Sequence, residues 1–338
     1  MGIGGAGGLL PFPGMTYASA PGKIILFGEH AVVYERPALA VPVAQIHADV
    51  EISESSNHGI WIDAPNIDLH AELNTLPFDH PLAAVIHNFL FTFRIDPFPA
   101  LNINITSTIP VASGLGSGAA VSVALIRALS SHLDHPMTNE QVNALAYEIE
   151  KIYHGTPSGI DNTVITYARP VFFIKPPSVS PQIQAIWGER ERGVETFKVG
   201  KPFTIVIGNP GISAPTKEAV GDVRKLWEAD KEKWKEVFDK IGEIVRSAKQ
   251  RIENGEWELM GELMNQNHAL LQKMTVSSSE LDRLVEAARE AGALGAKLSG
   301  GGRGGNMIAL VKPEIAEAVS KSLKDAGAKN TIITTITP

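Results

Sequence analysis

The chain contains no cysteine. That excludes disulfides, thiolate metal sites and cysteine nucleophiles together, and it suits a reducing compartment, so the cytoplasm is the expected location. No apolar run approaches the roughly 18 residues a membrane span needs, so no membrane partner is expected. Acidic residues outnumber basic ones, 37 Asp and Glu against 30 Lys and Arg for a formal charge of −7. No basic block is long enough to track a phosphodiester backbone, which sets nucleic acid aside as a partner. Residues 1–15 hold neither Lys nor Arg and so lack the charged n-region of a secretory signal, while Ala6 stands where a myristoylation motif needs Ser or Thr. This stretch reads as a flexible leader.

What is present is 338 residues, 44% of them hydrophobic and 20% charged, enough for two domains with their own cores. Short β-like runs at 23–27 and 46–52 and the alternating Leu101-Asn-Ile-Asn-Ile105 precede helical patterns at 81–94, 118–132 and 138–153. The last of these opens on Thr138 with Gln141 three residues on, a capping box. Residues 175–201 turn Pro-rich and then charged, the composition of a connection. Beyond it the pattern predicts a strand at 203–208, helices at 216–254 (with a break), 256–273 and 278–292, a strand at 306–311, a helix at 313–326 and a strand at 330–336. The fold class is therefore α+β, with residues 16–185 forming one domain and 200–338 the other.

Three segments carry chemistry. Pro110-Val-Ala-Ser-Gly-Leu-Gly-Ser-Gly-Ala119 has glycines at 114, 116 and 118, free to adopt positive φ and expose N–H groups, directly before an apolar helix whose N-terminus carries partial positive charge. This is the make-up of a phosphate cradle, and also of a tight turn. His154-Gly-Thr-Pro-Ser-Gly-Ile-Asp-Asn162 is a rigid polar loop after a helix bearing Glu148 and Glu150, and it presents Asp161 either as a base or anchor or as a helix-capping residue. Ala20-Pro-Gly-Lys23 sets a lysine at the head of an apolar strand that ends in Gly28-Glu-His30. A lysine so near buried surface needs an anion, either Asp161 or a ligand phosphate. His30 taken alone reads more readily as a structural histidine.

Together with Lys297-Leu-Ser-Gly-Gly-Gly-Arg-Gly-Gly305, these segments resemble the three ordered motifs of the GHMP small-molecule kinases, over nearly the whole chain from about residue 17. Gly28-Glu-His-Ala-Val-Val-Tyr34 and His154 to Asn162 are most similar to the mevalonate kinase branch. The resemblance implies a ribosomal-protein-S5-domain-2-like N-terminal domain and a ferredoxin-like C-terminal domain, with ATP and mevalonate between them and Mg²⁺ as cofactor. It implies that Pro110, Ala112, Ser113, Gly114, Leu115, Gly116, Ser117, Gly118 and Ala119 wrap ATP, and that Glu150 and Ser117 hold the metal. Asp161 and Lys23 would be catalytic, and Lys23, Glu29, His30, Ser158, Asp161, Thr216 and Gly301 would line the substrate. The implied reaction is phosphorylation of the 5-hydroxyl of mevalonate, as a monomer or a homodimer. The alternatives are a sister kinase acting on phosphomevalonate or another small alcohol, and a catalytically silent ligand sensor.

Two departures stand out. Mevalonate kinases usually show two serines after Gly-Leu-Gly, and here Ser117 is followed by Gly118; Arg303 and Asn306 occupy positions where the family commonly has small residues. Arg303 is expected either to reach an anionic group of substrate or nucleotide or to be solvated.

Overall fold

A computed structural model describes residues 14–110, 113–154, 157–175, 193–212 and 216–338. The leader expected over residues 1–15 falls outside them as far as residue 13, while Met15 already belongs to the first strand.

The N-terminal sheet grows on β2 (Pro37–Glu54), an 18-residue strand whose inward residues are almost all buried. β1 (Met15–Phe27) runs antiparallel along its length. The rest of the sheet is β3 (Ile60–Ala64), β4 (Leu69–Glu72), β5 (Leu101–Ser107), β6 (Val171–Ile174) and β7 (Val194–Thr196), in the order β4-β3-β5-β2-β6-β7. β1 and β2 are far longer than the apolar runs that announced them, because their outer halves alternate with polar residues and bury one face only. The short strands β3, β4, β6 and β7 have too few residues to show a period and had no counterpart in the sequence reading. β7 pairs with β6, so the N-terminal sheet reaches residue 196, past the boundary expected at 185.

One face of this sheet is covered by α1 (Pro81–Thr92), α2 (Ser117–His132), α3 (Asn139–His154) and α4 (Ile160–Tyr167). α2 lies against β1 and β2, and its small residues Ala119, Ala120, Ala124 and Ala128 let the helix approach the sheet closely. The capping box opens α3 as expected: Gln141 N–H donates to Thr138 Oγ1 (3.4 Å) and Thr138 N–H donates to Gln141 Oε1 (2.8 Å).

The C-terminal sheet contains β8 (Phe203–Asn209), β9 (Gly295–Ser299), β10 (Asn306–Val311) and β11 (Asn330–Ile336), all antiparallel in the order β11-β8-β10-β9. With the intervening helices this is the ferredoxin-like βαββαβ arrangement that the resemblance implied. Its helices are α5 (Thr216–Ala229), α6 (Lys231–Asn254), α7 (Met260–Lys273), α8 (Ser279–Glu290) and α9 (Ala316–Asp325). The expected break falls at Asp230, whose carboxylate accepts Lys233 N–H and starts α6 afresh (3.1 Å). The Lys- and Glu-rich face of α6 is solvated, and its other face buries Trp234, Phe238, Ile241 and Val245.

Two backbone details position the site. The β1–β2 register shifts between Pro21 and Gly22, where β2 carries the extra residues between Val43 and His47, directly before Lys23. At its end the chain turns at Gly28, where φ is +97° and an added Cβ would lie 2.5 Å from Ala38 Cα and from the Pro37 carbonyl oxygen. Gly28→Ala should therefore cost about 2–4 kcal/mol, since it adds left-handed strain to overlap with backbone that has nowhere to go. A drop of several degrees in melting temperature is the expected reading, and an unchanged value would remove the constraint.

Candidate active site

Lys23 N–H donates to the Leu115 carbonyl (2.9 Å), so β1 and the glycine loop share a backbone hydrogen bond. The same approach explains two glycines. An added Cβ at Gly22 would meet Ile46 at 2.8 Å and the Leu115 carbonyl at 3.2 Å. One at Gly116, where φ is +81°, would meet Ile165 at 2.8 Å and Lys23 Cγ at 2.9 Å. The loop lies on the aliphatic stem of Lys23, and α2 starts immediately after it with Gly116 as N-cap. Four N–H groups at a helix N-terminus have no intrahelical partner, so this end offers donors and partial positive charge to an anion.

Lys23 is buried, and its Nζ lies 3.0 Å from Asp161 Oδ2. The carboxylate is the anion that the buried lysine required, and it keeps a third of its surface open. Asp161 sits in the first turn of α4, after Gly159 as N-cap, so its helix-terminal place and its partnership with Lys23 coexist. Glu150, on the last turns of α3, is buried nearby. Burial first, and the charge of Asp161 second, push its carboxyl up to about 7 against the opposing pull of Lys23. Two carboxyl groups thus lie close to one ammonium. An added Cβ at Gly118 would lie 3.9 Å from Glu150 Oε1, which puts the head of α2 beside that carboxylate.

His30 Nε2 lies 3.0 Å from the Gly301 carbonyl, which joins the end of β1 to the late glycine loop. Burial lowers the His30 pKa to about 4, so the ring is neutral and donates from Nε2. Ser299 Oγ donates to the Ile25 carbonyl (2.8 Å), a second stitch between the domains.

Residues 82–169 match the family described as "GHMP kinases N terminal domain", and residues 248–329 match "GHMP kinases C terminal". The mevalonate kinase of Pyrococcus abyssi is 36% identical, across 93% of this chain and 94% of that protein, and the one from Saccharolobus solfataricus is 31% identical across 91% and 93%. This chain belongs to the GHMP kinase family. Among solved structures, the L. major mevalonate kinase in complex with R-mevalonate superposes with a TM-score of 0.81 at 30% identity, covering 95% of this chain and 96% of that one. A phosphomevalonate kinase from Streptococcus pneumoniae bound to phosphomevalonate and AMPPNP shares the fold at 19% identity, with a TM-score of 0.75 over 94% of this chain and 99% of that one.

In this GHMP kinase the three motifs touch one another: Lys23 pairs with Asp161 and lies under the glycine loop at Leu115 and Gly116, Gly118 stands beside Glu150, and His30 reaches Gly301. Ser158 holds its own turn by accepting Ile160 N–H (3.3 Å). Ala112 and the side chain of Thr216 lie outside the described residues. Pro110 is exposed at the loop's start.

Glu29 is turned inward rather than toward the crevice. Its side chain is 1% exposed and ion-paired with Lys297, which also donates to the Leu298 carbonyl (2.6 Å). Sequence reasoning quoted Lys297 within the third motif but gave it no role. Its signal was a lysine inside a wholly buried strand, which demands a buried anion. Arg303 follows neither expectation. It donates to Asp222 (2.6 Å) and to the Thr275 carbonyl (3.1 Å), strapping the late glycine loop to α5. Lys225, with this guanidinium, holds the Asp222 carboxyl down at about 2.

Below this loop His268 accepts Leu298 N–H at Nδ1 (3.3 Å) and faces Asp282 with Nε2 (3.1 Å). Burial again lowers its pKa to about 4. A histidine with a folded pKa below its unfolded value of about 6.5 supports the fold fully above that value and loses its contribution as pH falls toward the folded pKa. Glu150 acts with the opposite sign, favouring the fold below about 4.5 and losing that support as pH rises through about 7. The difference between wild type and His268→Gln isolates the histidine. Denaturant unfolding at pH 7.5 and 5 should show wild type losing more stability on acidification than the variant, and parallel losses would show that His268 titrates normally.

Proposed function

We propose that this GHMP kinase transfers the γ-phosphoryl group of ATP to the 5-hydroxyl of mevalonate, releasing ADP. The observation that carries the reading is the Lys23–Asp161 pair, seated on the glycine loop and beside buried Glu150. Phosphoryl transfer asks for in-line alignment and for compensation of charge on the migrating group and its leaving oxygen. The N–H groups of the loop around Ser113 to Ala119 and the head of α2 provide donors for the phosphates. Lys23 provides a cation aimed at the same space. Asp161 is the only carboxylate of the pair with open surface, so it is the group that accepts or orients the hydroxyl proton, while Lys23 compensates the alkoxide that forms.

Glu150 and Ser117 fit a magnesium ion. A buried carboxyl with its pKa raised by a second carboxylate sits where a divalent cation relieves both, and magnesium takes few protein oxygens, filling its shell with water and phosphate. Among the described residues no group of three or more His, Asp or Glu side chains is arranged to hold a metal, so the protein's share is small. When bound, the ion neutralises phosphate charge and helps hold the phosphates in line. Gly118 stands beside Glu150 where mevalonate kinases usually show a second serine, so on the protein side Glu150 and Ser117 would hold the ion.

On the substrate side, His30, Ser158, Thr216 and Gly301 border the alcohol, and Glu29 acts indirectly, holding His30 in place through Lys297. A catalytically silent sensor would have no use for a lysine, two carboxylates and a phosphate loop in one crevice. The names of the relatives favour mevalonate over phosphomevalonate as the alcohol. Among the described residues no helix is long and apolar enough to cross a membrane. We place the reaction in the cytoplasm, and the site is built from one chain whether or not two copies associate.

Purified protein with Mg²⁺, ATP and mevalonate should release ADP, with slower turnover on phosphomevalonate and other small alcohols. Asp161→Asn and Lys23→Met should each lower kcat by about 10²–10⁴-fold, the range expected for a proton-handling group or a charge-stabilising contact, while melting stays cooperative. Equal turnover by Asp161→Asn and wild type would remove Asp161 from the chemistry, and a stronger response to another alcohol would change the substrate.

A further inference from the structure

The contacts among Asn209, Asn306 and Ser113 form a directed polar chain between the C-terminal sheet and the mouth of the glycine loop. Asn306, at the start of β10, is 1% exposed. Its Nδ2 donates to the Ser113 carbonyl (2.5 Å), and its Oδ1 accepts from Asn209 Nδ2 (2.9 Å). Asn209, at the end of β8, accepts Gly211 N–H at Oδ1 (2.6 Å), and its backbone carbonyl accepts Lys329 N–H (2.8 Å).

Each amide in this chain has only one workable orientation. A backbone N–H can only donate, so Asn209 must turn its oxygen to Gly211 and its nitrogen to Asn306. Asn306 must then turn its oxygen to Asn209 and its nitrogen to Ser113. The last acceptor is the carbonyl of the peptide whose N–H belongs to Gly114. That peptide is planar and trans, so fixing the Ser113 oxygen fixes the opposite direction of the Gly114 N–H. Gly114 has φ +76°, a conformation that imposes no side-chain restraint of its own, and its ideal Cβ position lies 3.7 Å from Asn306 Nδ2. The Ser113 hydroxyl is buried and has no hydrogen-bond partner among the described residues.

We propose that Asn306 is a positioning residue for the nucleotide, clamping the Ser113–Gly114 peptide from the other domain, and that Asn209 acts through it. The inference deepens the ATP-dependent reading of the site and rests on it. The domains do not need this contact in order to stay together. Glu29 with Lys297, Ser299 with the Ile25 carbonyl, Arg36 with Asp239 (2.8 Å) and Thr334 with Gln45 (2.6 Å) all cross the same seam. Asn306 differs from these contacts in touching the loop itself.

Two variants of the full chain test it. N306A removes the donor to Ser113. N209D lies one side chain further away and touches no part of the loop, but its carboxylate cannot donate to Asn306; the Asn306 amide then rotates to donate to it and turns its oxygen on the Ser113 carbonyl. Calorimetric titration with Mg²⁺-ATP, without any alcohol, should show both variants binding about five- to tenfold more weakly than wild type, the scale of one lost hydrogen bond. KM for ATP should rise in step, KM for mevalonate should stay within about twofold, and melting temperatures should stay within a few degrees. Unchanged ATP affinity in both variants overturns the proposal, as does a loss shared equally by the two substrates, which would mark a loosened seam. If N306A fails to fold, N209D decides alone. Wild-type turnover on mevalonate is measured beside these titrations. Its failure would overturn the substrate assignment while the nucleotide series still judged the clamp.

Discussion

A lysine ammonium taken into a protein interior must meet an anion or lose its charge, and this requirement organises the site. Lys23 is buried in β1, directly after the register shift against β2. Its stem is covered by Gly116, its head meets Asp161, and its backbone N–H holds the glycine loop through Leu115. One residue therefore joins the first motif, the glycine loop and the head of α4. Glu150 is a second carboxyl near the pair, its pKa raised by burial and by the charge of Asp161.

A second buried lysine does for the domain seam what Lys23 does for the crevice. Lys297 and Glu29 neutralise each other with almost no exposure, and removing either alone would strand a charge in the core. Because Glu29 and His30 are neighbours, the pair also sets the reach of His30 to Gly301. The late glycine loop is thereby held on one side by the end of β1 and on the other by the Arg303–Asp222 contact with α5. This is how a segment rich in positive-φ glycines keeps one shape: side chains from two other elements, His30 and Asp222, hold it.

Much of this was legible in the sequence where a residue type broke the local rule. Lys23 at the head of an apolar strand, glycines before a small-residue helix and Asp161 in a rigid polar loop were all visible as exceptions, and the structure joins them. The capping box at Thr138 and the break before α6 were legible because caps act within four residues. Contacts set by the meeting of the two domains left no local trace. Glu29 looked available for a ligand because nothing nearby in sequence reveals that Lys297 faces it. Arg303 could not announce Asp222, 81 positions away. The short strands β3 and β6 exist because β5 and β2 offer them edges, and β4 and β7 because β3 and β6 do in turn, which is a property of the sheet and not of their own residues.

The central claim is that Lys23 and Asp161 act on the same pair of reacting atoms. A crystal structure of the chain with mevalonate, Mg²⁺ and a non-hydrolysable ATP analogue tests it most directly. The account predicts the Asp161 carboxylate within hydrogen-bond reach of the substrate's terminal hydroxyl, about 2.6–3.2 Å, and Lys23 Nζ between that oxygen and the γ-phosphoryl group. A hydroxyl or a γ-phosphoryl group bound out of reach of both side chains would contradict it.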